Sequence, residues 1–209
     1  MTFFPAVVPS DDDEVPSESY RAPEWAAPPT GWLPSRIGVS ALLASTDDVA
    51  ITIRGLAAYP TGVALDVDWS LRSRGQTPRE WADLSDRFEG GRWRPGRADP
   101  ARGIRFGVAL ADGTKALTEV GHGHHHFGDD AVVPDPPLLT LNEHGGTGDD
   151  ELFTTSASLW LWPLPSAGAL DLVVSWPEFD VAEARHTLDA VDFAIEAARA
   201  RPLWPTLTD

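Results

Sequence analysis

Cysteine is absent from the 209 residues of the chain. This absence excludes disulfide bonds, thiolate nucleophiles and thiolate metal ligands. Positive charge is also scarce, because 16 lysine and arginine residues stand against 32 aspartate and glutamate residues, a formal net charge of −16. Phosphate backbones and anionic bilayers attract basic surfaces, so we expect neither a nucleic acid nor a membrane as partner.

Long apolar runs are missing as well. No stretch approaches the roughly 18 apolar residues that a membrane-spanning helix needs. The first five residues carry no basic flank and are followed by a run of acids, which is not typical of a secretory signal. We therefore expect a cytoplasmic protein, and an apolar fraction of 42% is sufficient for the core of one domain.

The first 35 residues combine proline, acidic and aromatic side chains. Seven prolines within residues 1–35 disfavour helices and central strands, because proline lacks an amide donor. Four acids occupy residues 11–14. Large aromatic rings are costly to leave in water, so we predict an extended arm that docks on the domain or on a neighbouring subunit. The arm residues predicted to make these interactions are Phe3, Phe4, Trp25 and Trp32.

Alternating apolar and polar residues indicate strands in the centre of the chain. Residues 49–54 and 63–72 alternate with a period of two, and a turn sequence at residues 59–62 separates them. We expect these two strands to pair antiparallel. Further strands are predicted over residues 39–44, 104–110, 115–120, 159–162 and 170–176. The last two are expected to form a hairpin with each other.

Two helices are predicted between and after the strands. Thr77, Pro78 and Glu80 provide an N-cap, a proline in the first turn and a capping-box acid. The second helix is predicted near residues 189–201, with a buried stripe at Val191, Ile195 and Ala198.

These elements predict a mainly β fold. We expect an antiparallel β-sandwich, Ig-like or jelly-roll-like, with one inserted short helix near residues 78–88 and a C-terminal helix. The sandwich domain would span residues 36–209, and the proline-rich acidic arm would span residues 1–35.

The C-terminal half contains several tryptophan and proline motifs. They are Trp-Leu-Trp-Pro-Leu-Pro at residues 160–165, Gly-Ala-Leu at residues 168–170, Trp-Pro at residues 176–177 and Leu-Trp-Pro at residues 203–205. Together with residues 56–62 and 105–107, these motifs resemble an uncharacterised family of high-GC bacterial proteins. The resemblance covers residues 38–205 and implies no activity, cofactor or catalytic residue, because none is assigned to that family.

A histidine cluster is the first candidate for chemistry. Its members, His122, His124, His125 and His126, are followed by three aspartates within residues 129–135. Imidazole and carboxylate groups suit zinc or nickel. The glycines among them favour a solvated loop as the alternative. The acidic, glycine-rich residues 142–151 are interpreted as a long polar connection.

Eight arginines within residues 72–102 form a second cluster, half of all the basic residues of the chain. Guanidinium groups can bind phosphate, but the net negative charge opposes such a partner at long range. The preferred interpretation is that this cluster receives the acidic residues 11–14 of the arm. On one predicted strand, Asp66 and Asp68 point to the same side, which indicates a solvated face rather than a catalytic pair.

Trp160 and Trp162 share one face of a predicted strand, and Leu159 and Leu161 share the other. A strand that is apolar on both faces is covered on both, within the chain or at an interface. We prefer coverage within the core or by the arm, and we include both tryptophans among the candidate interaction residues. Stacking of a sugar on an exposed tryptophan is the alternative.

Two hypotheses for the function follow. The preferred one is a non-enzymatic interaction or assembly module with a protein partner or a second copy of the chain, because no catalytic motif is present. The alternative is a transition-metal or small-ligand-binding protein, possibly an enzyme, that uses the histidine cluster. A carbohydrate-binding sandwich is a minor alternative.

Overall fold

A computed structural model describes residues 22–89, 103–118, 133–166 and 168–204. Phe3, Phe4, the acids of residues 11–14 and the four clustered histidines lie outside the described residues.

The described residues form β-strands, two α-helices and one short 3₁₀ turn. In chain order the strands are β1 (Trp32–Leu33), β2 (Ser35–Ile37), β3 (Ala41–Ser45), β4 (Val49–Ala58), β5 (Val63–Arg72), β6 (Arg105–Leu110), β7 (Lys115–Leu117), β8 (Leu138–Gly148), β9 (Leu152–Trp162), β10 (Gly168–Trp176), β11 (Val181–Val191) and β12 (Arg201–Pro202). The helices are α1 (Pro78–Phe88) and α2 (Phe193–Arg199), and the 3₁₀ turn is Pro177–Phe179.

Ten of the twelve strands build two antiparallel sheets that face each other, and β1 and β12 form a separate two-stranded ribbon. The larger sheet has six strands in the order β2-β4-β5-β9-β8, with β3 also paired to β4, and the smaller has the order β11-β10-β6-β7. Core side chains from both sheets fill the space between them; for example, the rings of Trp69 on β5 and Phe106 on β6 lie 5.9 Å apart. This architecture confirms the predicted mainly β fold with two helices.

The pair formed by β4 and β5 follows directly from the sequence pattern. Val49 pairs with Leu71, Ile53 pairs with Val67, and all four side chains are buried in the core. The intervening polar residues of β5 point to the outer face of the sheet. The predicted antiparallel pairing of these two strands is therefore confirmed.

The predicted hairpin between residues 159–162 and 170–176 is wrong. Strand β9 belongs to the six-stranded sheet, and β10 belongs to the four-stranded sheet, so the chain crosses between layers at this point. The reason is that both edges of β9 are occupied, by β5 on one side and by β8 on the other.

Residues 142–151 do not form a polar connection. Residues up to Gly148 belong to β8, which pairs with β9, and the carboxylate of Asp149 accepts hydrogen bonds from the backbone amides of Glu151 and Leu152 in the turn. The sequence does not predict this strand, because its second half is exposed on both faces and so shows no alternation of apolar and polar residues.

Helix α1 agrees with the prediction. Thr77 accepts a hydrogen bond from the backbone amide of Glu80, and the Glu80 carboxylate accepts one from the amide of Thr77. Phe88 is buried, and Trp81 and Leu84 pack against the core.

Helix α2 is shorter than predicted, and its buried stripe is different. Residues up to Val191 belong to β11, and the helix begins at Phe193 because the Asp192 carboxylate accepts a hydrogen bond from the amide of Ile195. Phe193 and Ala197 face the core. Ile195 and Ala198, which were both predicted to be buried, are exposed. The predicted buried stripe is wrong because Val191, its first member, still belongs to strand β11 and not to the helix.

Candidate functional site

The outer face of the six-stranded sheet is covered by the segment that precedes β1. We call residues 22–31 the covering segment. Trp160 projects from β9 onto this face and is completely buried, and its indole nitrogen donates a hydrogen bond to the carbonyl oxygen of Glu24 at 2.9 Å. Tyr59 packs edge-on against the Trp160 ring at 5.7 Å. Trp25 in the covering segment is also buried, so this part of the arm docks on its own domain.

The four described tryptophans predicted as interaction residues therefore occupy different environments. Trp25 and Trp160 are buried within the chain, and Trp162 packs against the Trp160 cluster. Trp32 is half-buried in β1. Trp160 offers no exposed ring surface to a sugar, and its burial fits the arm-covered interpretation.

A short two-stranded ribbon carries exposed apolar side chains. Strand β1 pairs with β12, and the amide of Leu203 donates a hydrogen bond to the carbonyl oxygen of Gly31 at 2.8 Å. Trp204 follows, with 70% of its surface exposed, and Leu203 and Leu33 are exposed by 51% and 42%. We call Leu33, Leu203 and Trp204 the apolar ribbon.

A cavity of about 380 Å³ lies on the outer face of the six-stranded sheet, beside the covering segment. Its apolar lining comes from Ala57 and Ala64 on the sheet and from Ala27 and Pro28 of the covering segment. The two sheet residues stand opposite each other on β4 and β5.

Polar side chains from several strands meet in this cavity. Asp66 on β5 stands opposite Ser158 on β9, and Ser158 stands opposite Asn142 on β8, so the strand register places the three in one row. Arg36 reaches the cavity from β2. His144 lies where the β8–β9 pairing is interrupted by a bulge.

The charges in the cavity balance each other. A guanidinium nitrogen of Arg36 lies 2.6 Å from a carboxylate oxygen of Asp66. Burial raises the pKa of the Tyr59 hydroxyl above its usual value; the positive charge of Arg36 opposes this shift and the negative charge of Asp66 adds to it. Tyr59 is therefore neutral at pH 7 and can both donate and accept a hydrogen bond.

Asn142 in the cavity lining has a buried polar atom without a partner among the described residues. The side-chain amide nitrogen of Asn142 is buried, yet it meets no acceptor within the described part of the chain. A buried donor without an acceptor costs the folded chain about 1–3 kcal/mol.

The carboxylates of Asp66 and Asp68 do not form a catalytic pair. Each has its own arginine, because Asp66 contacts Arg36 and Asp68 lies 2.5 Å from the guanidinium nitrogen of Arg54. Nor is their side of β5 simply solvated, since the side chain of Asp68 is largely buried and that of Asp66 is partly buried.

Arginines of the predicted cluster contact other parts of the chain where they are described. Arg74 forms ion pairs with Asp47 and Asp48, and Arg72 donates to the carbonyl oxygen of Asp47. Arg87 lies over the ring of Phe179. These arginines therefore have intramolecular partners other than the acidic residues 11–14 of the arm. Those acidic residues lie outside the described part of the chain.

Within residues 22–89, 103–118, 133–166 and 168–204, no three histidine or acidic side chains gather in a way that could hold a metal ion. The same residues contain no helix that is long and apolar enough to cross a membrane.

No protein-family model, curated protein or solved structure matches this chain. The resemblance drawn from the tryptophan and proline motifs stays a prediction.

Local sequence patterns do not identify Arg36, Tyr59, Asn142 and Ser158 as cavity residues. They come from separate strands and from a turn, and no short motif contains them. The unusual polar second half of β8, with Asn142 and His144, was the available signal.

Proposed function

We propose that this protein is a non-enzymatic β-sandwich interaction module that binds a protein partner through the apolar ribbon. The observation that carries the proposal is the 70% exposure of Trp204, which lies two residues after the paired strand β12. Tryptophan is among the residues that most often dominate the free energy of protein association.

The support of the ribbon favours this role. Strands β1 and β12 pair with each other, and the amide of Leu203 is bound to the carbonyl of Gly31. An aromatic side chain that directly follows a hydrogen-bonded residue loses less conformational entropy on binding than one on a free terminus. Leu33 and Leu203 extend the apolar surface beside it.

The charge of the chain points to a basic partner rather than a second copy. A formal charge of −16 on each chain makes two copies repel at long range, whereas a basic protein is attracted. For the same reason, we expect neither nucleic acid nor a membrane surface as the partner.

The test compares capture by three immobilised forms of the full chain: the wild type, Trp204→Ala and Leu117→Ala. Leu117 is the matched control, because it is also 70% exposed but lies on β7. We expect a basic protein from an extract of the native host to bind the wild type and the control but not Trp204→Ala. With the purified partner, the loss should be about 30-fold or more in Kd, equivalent to a hot-spot residue.

Equal capture by all three forms would overturn the proposal. Light scattering provides a second readout. A dimer that dissociates in Trp204→Ala would assign the ribbon to self-association and contradict the basic partner.

Zinc or nickel binding by His122, His124, His125 and His126 stays a second proposal, carried by the sequence pattern alone. Calorimetric titration of the full chain with each ion tests it. Binding no tighter than millimolar would contradict a defined site.

A further inference from the structure

We propose that the cavity on the outer face of the six-stranded sheet binds a small neutral polyhydroxy compound, such as a monosaccharide or a disaccharide. This site is separate from the apolar ribbon and does not depend on it. It also differs from a tryptophan platform, because the Trp160 ring is fully covered.

The size of the cavity fits a ligand of one or two sugar rings. Ligand cavities in proteins range from about 300 to 1,000 Å³, and the volume here is about 380 Å³. The covering segment closes one side with Ala27 and Pro28, which leaves room for a compact molecule rather than for a macromolecular surface.

The charge balance favours a neutral ligand. Arg36 and Asp66 neutralise each other at 2.6 Å, so a charged ligand would compete with an existing ion pair. A hydroxyl group avoids this competition. Guanidinium has five N–H donors and carboxylate accepts several hydrogen bonds, so both can take ligand hydroxyls while they remain paired.

The other polar groups also suit hydroxyls, which donate and accept. Ser158 and Tyr59 each offer a hydroxyl that can act in either direction, and Asn142 and His144 line the cavity beside them. A polyol supplies several oxygens in fixed positions and can therefore satisfy these groups together.

The apolar lining suits the carbon skeleton of the same ligand. Ala57 and Ala64 stand opposite each other in the lining, and Tyr59 also lines the cavity. Sugar rings have apolar C–H faces as well as hydroxyl edges, and they bind where small apolar and aromatic surfaces adjoin polar groups.

The experiment is isothermal titration of the full chain with a panel of probes. The neutral probes are glucose, mannose, xylose, trehalose and glycerol; glycine and inorganic phosphate represent zwitterions and anions. We expect at least one sugar to bind with a defined stoichiometry of one, and we expect no binding of glycine or phosphate.

Two variants locate the binding site. Asp66→Asn removes the carboxylate charge from the cavity, and Ala64→Leu fills the space. Each should weaken sugar binding about tenfold or more. Asp66→Asn loses a hydrogen bond to a charged group, and Ala64→Leu occupies the volume that the ligand needs. Asn142→Ala, which removes an amide side chain from the cavity lining, provides a third test if Ala64→Leu disturbs the covering segment.

Asp68→Asn is the matched control. Asp68 lies on the same strand and the same face and has its own arginine, but it does not line the cavity. We expect wild-type sugar affinity in Asp68→Asn and in Trp204→Ala. Thermal denaturation of each variant verifies that it is folded.

The proposal is overturned if none of the neutral probes binds at millimolar concentration, or if only glycine or phosphate binds. It is also overturned if a sugar binds equally well to Asp66→Asn, Asn142→Ala and Asp68→Asn. None of these results affects the apolar ribbon, because that surface has its own test.

Discussion

The indole nitrogen of Trp160 donates a hydrogen bond to the carbonyl oxygen of Glu24, a residue 136 positions earlier in the chain. This bond joins β9 of the six-stranded sheet to the covering segment. It also satisfies the one polar atom of a side chain that is otherwise completely buried. The covering segment is therefore part of the folded domain, and it forms one side of the cavity.

Replacing Trp160 with phenylalanine should loosen the covering segment. The change removes the N–H donor and part of the buried ring, and we expect a loss of about 2 kcal/mol in the free energy of unfolding. Urea denaturation measures this loss, and limited proteolysis should show faster cleavage within residues 22–31. The control is Trp162→Phe, since Trp162 is only half-buried; equal effects of both changes would contradict a specific role for the Glu24 contact.

A methyl group at Gly62 should destabilise the domain. A Cβ atom there would lie 2.5 Å from the carbonyl oxygen of Leu161 and 2.6 Å from the ring of Trp160. We expect Gly62→Ala to lower the free energy of unfolding by about 2 kcal/mol or more, because backbone atoms must move. Gly38→Ala is the control, as no heavy atom of the described chain lies within 4 Å of its Cβ position. A comparable loss of stability in both variants would show that crowding is not the cause.

Phe88 connects α1 to both sheets. Its ring lies 5.8 Å from Phe153 on β9 and 5.2 Å from Trp176 on β10. We expect Phe88→Ala to cost about 3–5 kcal/mol in the free energy of unfolding, the usual range for a buried phenylalanine. Chemical denaturation measures it, and Asp83→Ala on the exposed face of α1 should change stability by about 0.5 kcal/mol at most. A loss below about 1 kcal/mol in Phe88→Ala would mean that α1 contributes little to the core.

Stability should fall in alkaline solution through Tyr59. Its pKa is raised in the folded state, chiefly by burial, so the folded chain holds the hydroxyl proton more tightly than the unfolded chain does. The free energy of unfolding should therefore decrease as pH rises above about 10, the usual tyrosine pKa. Urea denaturation at a series of alkaline pH values should show a steeper decrease for the wild type than for Tyr59→Phe. Parallel curves for the two proteins would be inconsistent with a raised pKa.

Absorbance of the tyrosinate ion gives an independent check. The chain has only two tyrosines, so Tyr59→Phe leaves Tyr20 as the single titrating phenol. The difference between the two titration curves should have its midpoint above that of a free tyrosine.

Local elements of the fold could be predicted because their causes are local. The capping box of Thr77 and Glu80 joins atoms that are three residues apart, and it fixes the start of α1. The alternation along β5 places Leu65 and Val67 in the core and Asp66 on the outer face, whichever strands lie beside it. These features depend on backbone geometry and on the aversion of apolar side chains to water.

Strand pairing and the cavity were decided by the tertiary structure. The sequence around residues 159–176 contains two strands and a turn. Whether these two strands pair depends on whether β9 has a free edge. It has none, because β5 and β8 occupy its two edges. The cavity residues Arg36, Asp66 and Asn142 are far apart in the chain and meet because register sets which residues of separate strands stand side by side. The sequence by itself determined which face of β4 and of β5 is buried, since polarity and periodicity are properties of single segments. Only the folded chain determined which polar groups converge on one cavity, because that depends on contacts between segments that no local pattern encodes.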